Sequence, residues 1–249
     1  LGATLGAKPG EPLSKFVGGP DAIIIIDNKS LTHRPDLWSH IGFAREISAI
    51  LGRKLKRNPD DWADYNETGK NFLKELRGAG KGSFSVAIAA GTPCRRFAGI
   101  ELRGARVEPS PLWMSRRLYS IGAGVRNLLV DLSNYCMHDL GQPNHAYDAD
   151  RLTVGVVQVR LARKDELFLG LDGQERKLSV EDIVIANGDR AVALGGVMGG
   201  AACSIAETTT RLFLESANFD PTVVRLTTKR HALRTDASNR FEKSLSPFQ

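Results

Sequence analysis

Apolar and polar positions along the chain fall into two rhythms. Ala22–Ile26 is an unbroken apolar run closed by Asp27, and it reads as a short buried strand. Beyond it, Arg34-Pro35-Asp36 offers a helix opening, with proline or aspartate in the first turn. Leu37, Ile41, Ala44, Ile47 and Leu51 then follow on one face of a 3.6-residue helix. Gly52 stands where that helix should end, because glycine accepts the left-handed backbone of a C-terminal cap. Residues 1–20 carry Pro9, Pro12, Gly18, Gly19 and Pro20 and read as a connector. Residues 53–82 are polar and weakly patterned, with one short helix expected around Phe72–Leu76.

From Ser83 the period changes. Phe84, Val86 and Ile88 alternate within Ser83–Ala90, and Phe97–Val107 contains a second strand. Ser110-Pro111 predicts an N-cap followed by a proline in the first turn of a helix. Met114, Leu118 and Ile121 mark its apolar face as far as Gly122. A strand-rich section follows: Val154–Leu161, then Leu167–Leu171 and Glu175–Leu178 around Asp172-Gly173, a favoured hairpin turn. Ile183–Ala186, Ala191–Leu194 and Arg211–Glu215 continue it. Asp220-Pro221 opens another helix, and Asp236 is expected to cap the last one. The pattern predicts an α+β fold, a mixed sheet-rich domain with flanking helices. It divides into a connector over 1–20, a helix and linker over 21–82, and a core over 83–249.

Composition narrows the class. Of the 249 residues, 42% are hydrophobic and 25% charged, a soluble globular balance. The apolar run at 22–26 is far short of the ~20 residues that span a bilayer, and no secretion signal opens the chain. Cys94, Cys136 and Cys203 are an odd number without a CxxC pair, which points away from a disulfide framework or zinc site and toward a reducing cytosol. The Leu1 start reads as the cut edge of a longer protein. A net charge of +6, from 34 basic and 28 acidic residues, permits contact with a polyanion without requiring it.

Several groups could carry chemistry. Gly141-Gln142-Pro143 should end a short helix and force an extended turn, since the residue before proline avoids helical angles. His145 is then expected on a loop just beyond a helix, either reactive or merely bonding the loop to itself. Gly195-Gly196-Val197-Met198-Gly199-Gly200 holds four glycines in six residues. It makes either a ligand wall of bare backbone or a tight sheet turn. Glu215 closes an apolar strand on the side of Phe213, opposite Leu212 and Leu214, either solvated or held for a partner. Arg234 to Glu242 has the look of a capped helix start. His33 and His40 have no third ligand nearby, so no metal site is indicated. Templates such as GxSxG and HExxH are missing.

Taken in order, these segments resemble one family. They are Asp27 to Asp36, Trp113 to Ile121, Ser133-Asn134-Tyr135, Leu140 to Asp148, Leu171-Asp172-Gly173, Gly196 to Gly200, Leu214 to Ala217 and Arg234 to Glu242. Together, over about residues 21–247, they resemble the B3/B4 editing region of phenylalanine–tRNA ligase β subunits. The resemblance implies a mixed α/β fold and hydrolysis of tyrosine wrongly esterified to the phenylalanine tRNA. It places Glu215 at the position that reads the tyrosine hydroxyl and His145 at the editing histidine, with Thr235 beside it in the catalytic set. Ser133, Asn134, Pro143, Ala146, Gly196, Gly199 and Ala237 fall on pocket-lining positions. Ser133 stands where threonine is frequent, and Asn144 where methionine is common. The resemblance further implies the tRNA acceptor end and tyrosine as partners, an α subunit, and a cytoplasmic setting without membrane contact. ATP and magnesium would belong to the parent complex, with no metal or cofactor in this region. The alternative within the same family is a non-catalytic scaffold or tRNA-contacting module.

Overall fold

The computed structural model describes residues 6, 8–12, 14–18, 21–55, 71, 74 and 82–247. Of the expected helix around Phe72–Leu76, Lys74 alone is described, and it is helical; the rest lies outside the described residues. Helices α1 (Ser14–Val17), α2 (His40–Leu51), α3 (Leu112–Ser120), α4 (Leu128–Leu140), α5 (Pro221–Arg230) and α6 (Asp236–Phe241) surround two main sheets. The strands are β1 (Ser85–Ile88), β2 (Cys94–Arg103), β3 (Asn144–Asp148), β4 (Val156–Leu161), β5 (Leu167–Leu169) and β6 (Glu175–Lys177), followed by β7 (Ile183–Asn187), β8 (Arg190–Leu194), β9 (Met198–Gly199) and β10 (Arg211–Phe219). One sheet runs β1-β4-β7-β8-β9, the second β2-β10-β3, and β5-β6 form a hairpin. This is the mixed α+β architecture that the alternating pattern predicts.

The core lies between the two sheets. Val157, Val159, Ile183, Ile185, Val192 and Leu194 of the five-stranded sheet cluster with Tyr147, Phe213, Ala217 and Phe219 of the three-stranded one. β7 is buried at all five positions, which explains its unbroken apolar stretch. Its last residue, Asn187, remains satisfied because its amide donates to the carbonyls of Val154 (2.6 Å) and Val156 (2.9 Å). Phe84 meets Phe213 edge-on at 5.5 Å and joins the sheets at the β1 end.

Several local expectations fail for identifiable reasons. Ala22–Asp27 forms no strand: Ile23, Ile24 and Ile25 are 63%, 76% and 88% exposed. A strand needs a partner ladder, and none is supplied among the described residues. The helix after Arg34 is broken. Pro35–Trp38 is a separate 3₁₀ turn, and Ser39 caps α2 by accepting from the Gly42 N–H at 3.0 Å. Gly52 ends α2 at φ +60°. Ser110 does not cap α3. Its hydroxyl donates to Asp131 at 2.5 Å, and Pro111 takes the cap position. Thr235, not Asp236, caps α6 with a reciprocal pair to Ser238. Asp220 caps α5 as expected, accepting from Thr222 and Val223.

Candidate functional site

β10 is the middle strand of its sheet, and its register builds the site. Glu215 pairs with Gly99 on β2 and with His145 on β3, while Phe213 pairs with Tyr147. Directly opposed residues share a face, so His145, Tyr147, Phe213, Glu215 and Gly99 all point the same way. Two sequence expectations change here. Glu215 is not at a strand end, because β10 runs on to Phe219 and the residue is 6% exposed. His145 is not on a loop, because β3 begins at Asn144. Gly141 does end α4, at φ +84°, and β3 follows directly after Pro143.

Gly99 is the residue that makes room. A Cβ there would stand 2.2 Å from the Phe213 ring, so only glycine lets that ring lie across the sheet.

Burial sets the electrostatics of Glu215. Removed from water, its carboxyl is pushed up to about 8, partly offset by the Tyr147 hydroxyl. Tyr147 donates to Oε2 at 3.0 Å, and among the described residues none donates to Oε1. His145 is half-buried as a residue, yet its Nε2 is shut from solvent with no hydrogen-bond partner among the described residues. Desolvation draws its pKa down to about 4, so the imidazole is neutral at physiological pH. Its ring stands edge-on to Tyr147 at 4.6 Å. The backbone of Gly199 covers the other side: a Cβ there would lie 2.3 Å from Cε1 and 2.4 Å from Nε2. Glu215, His145 and Gly199 therefore converge.

The remaining candidates are placed differently. Gly196, at φ +72°, faces Phe219, Val224 and Phe241 and so borders the apolar core. The Thr235 hydroxyl donates to the Val197 carbonyl at 2.7 Å and accepts from the Ser238 N–H at 3.1 Å. It thereby ties the glycine turn to α6, where Ala237 packs on the core. The Ser133 hydroxyl donates to the Asn144 side-chain oxygen at 2.7 Å, and Asn144 returns a bond to the Ser133 carbonyl at 3.2 Å. The two departures from the family pattern thus meet each other. Strand alternation puts Asn144 and Ala146 on the face opposite His145. Asn134 is half-buried on α4. Pro143 is buried at the entry to β3, where the Gln142 amide holds the Pro143 and Ala217 carbonyls, both at 2.9 Å.

Sequence reasoning missed Tyr147 and Gly99, although Tyr147 lies two positions from His145 and shares its face by simple alternation. It also missed two buried ionic hubs. Asp182 is fully buried and accepts from Thr227 (2.9 Å), His231 (2.7 Å), the Ser179 N–H (2.9 Å) and Arg230. Burial alone would raise its pKa, but the His231, Ser179 and Thr227 hydrogen bonds outweigh burial and hold it below the usual range. Arg240 is 4% exposed and donates to the Trp38 carbonyl (3.1 Å) and the Asp236 carbonyl (2.8 Å), and its third nitrogen lies 3.0 Å from His138 Nδ1. It fastens the 35–38 turn to α4 and α6. Cys94, Cys136 and Cys203 are free thiols. Among the described residues no cluster of three metal-ligating side chains occurs, and no helix is long and apolar enough to cross a membrane.

The model of the B3/4 domain family matches residues 93–249. The phenylalanine–tRNA ligase β subunit of Solibacter usitatus is 43% identical over 98% of this chain and 30% of its own length. That of Anaeromyxobacter dehalogenans is 39% identical over 97% of this chain and 29% of its own. A solved N-terminal fragment of the Pyrococcus horikoshii phenylalanyl-tRNA synthetase β subunit aligns over 83% of this chain and 59% of its own, at TM-score 0.43 and 14% identity. The chain spans about 30% of the length of the curated relatives it matches. It belongs to the B3/4 domain family.

Proposed function

We propose that this region hydrolyses tyrosine wrongly esterified to the phenylalanine tRNA, as the editing part of a larger ligase. The observation that supports this most is the setting of Glu215, a buried carboxyl aligned in register with His145 and carrying one oxygen without a donor among the described residues. Phenylalanine and tyrosine differ by one hydroxyl. A site built for phenylalanine rejects an added hydroxyl poorly, by about two orders of magnitude. A second site that hydrogen-bonds the hydroxyl discriminates in the opposite sense, because phenylalanine leaves the buried polar group unpaired. Glu215 fits that role. His145, neutral and aligned beside Glu215, would orient the attacking water, and polar or backbone N–H groups would stabilise the oxyanion.

In this reading the acceptor end of the tRNA enters with its phosphates, drawn by the net positive charge. An α subunit and the cytoplasm complete the setting, and ATP and magnesium serve aminoacylation elsewhere in the parent complex. A second reading, a scaffold or tRNA-contacting module, draws on the engaged Thr235 hydroxyl and on the Gly199 backbone lying against His145. Deacylation of tyrosyl- and phenylalanyl-tRNA by the full-length protein decides between them. With its pKa near 8, Glu215 is mostly protonated at pH 7, so its bond to a ligand hydroxyl is a neutral one, about 0.5–1.5 kcal/mol. Glu215→Ala should therefore cost roughly two- to tenfold in the preference for tyrosine. An unchanged preference in a folded variant supports the scaffold.

A further inference from the structure

Inside the candidate site the protein already holds a phenol against the carboxyl that would read one. Tyr147 is fully buried, and its hydroxyl reaches Glu215 Oε2 across the β3–β10 pairing at 3.0 Å. Both residues are pinned. The Tyr147 ring is braced by His145 at 4.6 Å and by Phe213 at 6.2 Å. Phe213 in turn occupies the space that Gly99 leaves open. A side chain in such packing cannot rotate away without disturbing three neighbours.

We propose that Tyr147 is a positioning and specificity-determining residue, which by holding Glu215 Oε2 fixes the carboxyl plane and leaves Oε1 alone to meet a ligand hydroxyl. The argument is geometric. A carboxyl free to rotate offers two equivalent oxygens in many directions, and a ligand phenol must then bear the cost of ordering it. A carboxyl with one oxygen already taken presents a single directed oxygen. An internal phenol also shows that this carboxyl and a phenolic hydroxyl are compatible partners in this environment. When Glu215 is protonated and accepts from Tyr147 through Oε2, its own proton resides on Oε1, so the ligand-facing oxygen is a donor. The groups that face Glu215 are His145 and Tyr147 on β3 and, on β2, Cys94, whose thiol is raised first by burial and also by the charge of this carboxylate. Cys203 bears on Tyr147 from the 201–203 turn, in the same raising direction. Among the described residues, only Tyr147 hydrogen-bonds to the Glu215 carboxyl.

This inference rests on the editing reading, and its test separates the two. The full-length protein and its Tyr147→Phe variant are assayed for deacylation of tyrosyl-tRNA and phenylalanyl-tRNA, and Glu215 is titrated through the ¹³C shift of its carboxyl. Tyr147→Phe keeps the ring and removes only the donor. Its tyrosine-over-phenylalanine preference should fall about three- to tenfold. The Glu215 titration should move to higher pH, because a hydrogen bond that favours the charged form is gone. A wild type that selects tyrosine and a variant with the same preference would overturn the role of Tyr147 alone. Failure of the wild type to hydrolyse either ester would overturn the editing reading and this inference with it. Should Tyr147→Phe fold poorly, difluorotyrosine placed at 147 keeps the shape and strengthens the donor. Glu215 should then titrate at lower pH, and an unmoved titration overturns the proposal.

Discussion

Glu215→Gln should change how stability depends on pH, and the structure supplies both sign and size. The unfolded chain releases this proton near the ordinary value of 4.5, whereas the folded chain keeps it until about 8. Between those values the unfolded state is the one stabilised by ionisation, so the native protein loses stability as pH rises. At about 1.4 kcal/mol per unit, the loss across the whole window is on the order of 5 kcal/mol. His145 acts in the opposite direction. Its folded value near 4 lies below its ordinary 6.5, so its contribution is complete above 6.5 and is lost as pH falls toward 4. The two slopes cancel between 4.5 and 6.5, and the carboxyl alone remains from 6.5 to 8. Glutamine keeps an acceptor for the Tyr147 hydroxyl but does not titrate. The variant should therefore gain on the wild type by about 2 kcal/mol between pH 6.5 and 8. Urea unfolding followed by circular dichroism, at half-unit steps from pH 5 to 8.5, reads this as a widening gap between midpoints. Parallel midpoint curves would mean that Glu215 ionises normally in the folded protein and would refute the account of its burial.

Three further changes probe the neighbouring structure. Gly199→Ala drives a methyl to within 2.3 Å of the His145 ring and should cost about 1–3 kcal/mol. On the proposed editing reading tyrosyl-tRNA deacylation should fall with it, and a wild-type melting curve would show that the ring has room to move. Asp182→Ala leaves Arg230, His231 and Thr227 facing a buried gap. A loss of about 3 kcal/mol, or on the order of 10 °C in melting temperature, should follow, and a shift under 2 °C would contradict it. Arg240→Met removes the bond to the Trp38 carbonyl while filling similar volume. Amide exchange over 35–42 should quicken with little change in the core, and a uniform change across the chain would place Arg240 in the global fold instead.

Features decided within a few residues were readable in the chain. Gly52, Gly141 and Gly173 all adopt positive φ where a cap or hairpin turn required it, and Asp220 caps its helix as expected. Features that need a distant partner were not. The isoleucines at 23–26 have the composition of a strand, but composition does not provide the ladder. Ser110 looked like a cap until Asp131, 21 residues on, claimed its hydroxyl.

Glu215 shows how the two kinds of information combine. The strand expected over Arg211–Glu215 runs on to Phe219, and the polar residues Ser216 and Asn218 occupy only one side of it. On the other side Phe213, Ala217 and Phe219 are all buried in the core, and Glu215 stands in the middle of that file. Period-two counting alone therefore marks it as a carboxyl among apolar neighbours, which is unfavourable unless a partner or a function retains it. Counting cannot name the partner. Tyr147 lies 68 residues away, and their meeting depends on a register that no local pattern encodes. A slip of one residue would turn Glu215 to the face of Leu212 and Leu214 and separate it from both Tyr147 and His145. The apolar faces of Tyr147 and Phe213 set against the five-stranded sheet prevent that slip, so the packing that buries the carboxyl is also what aligns it.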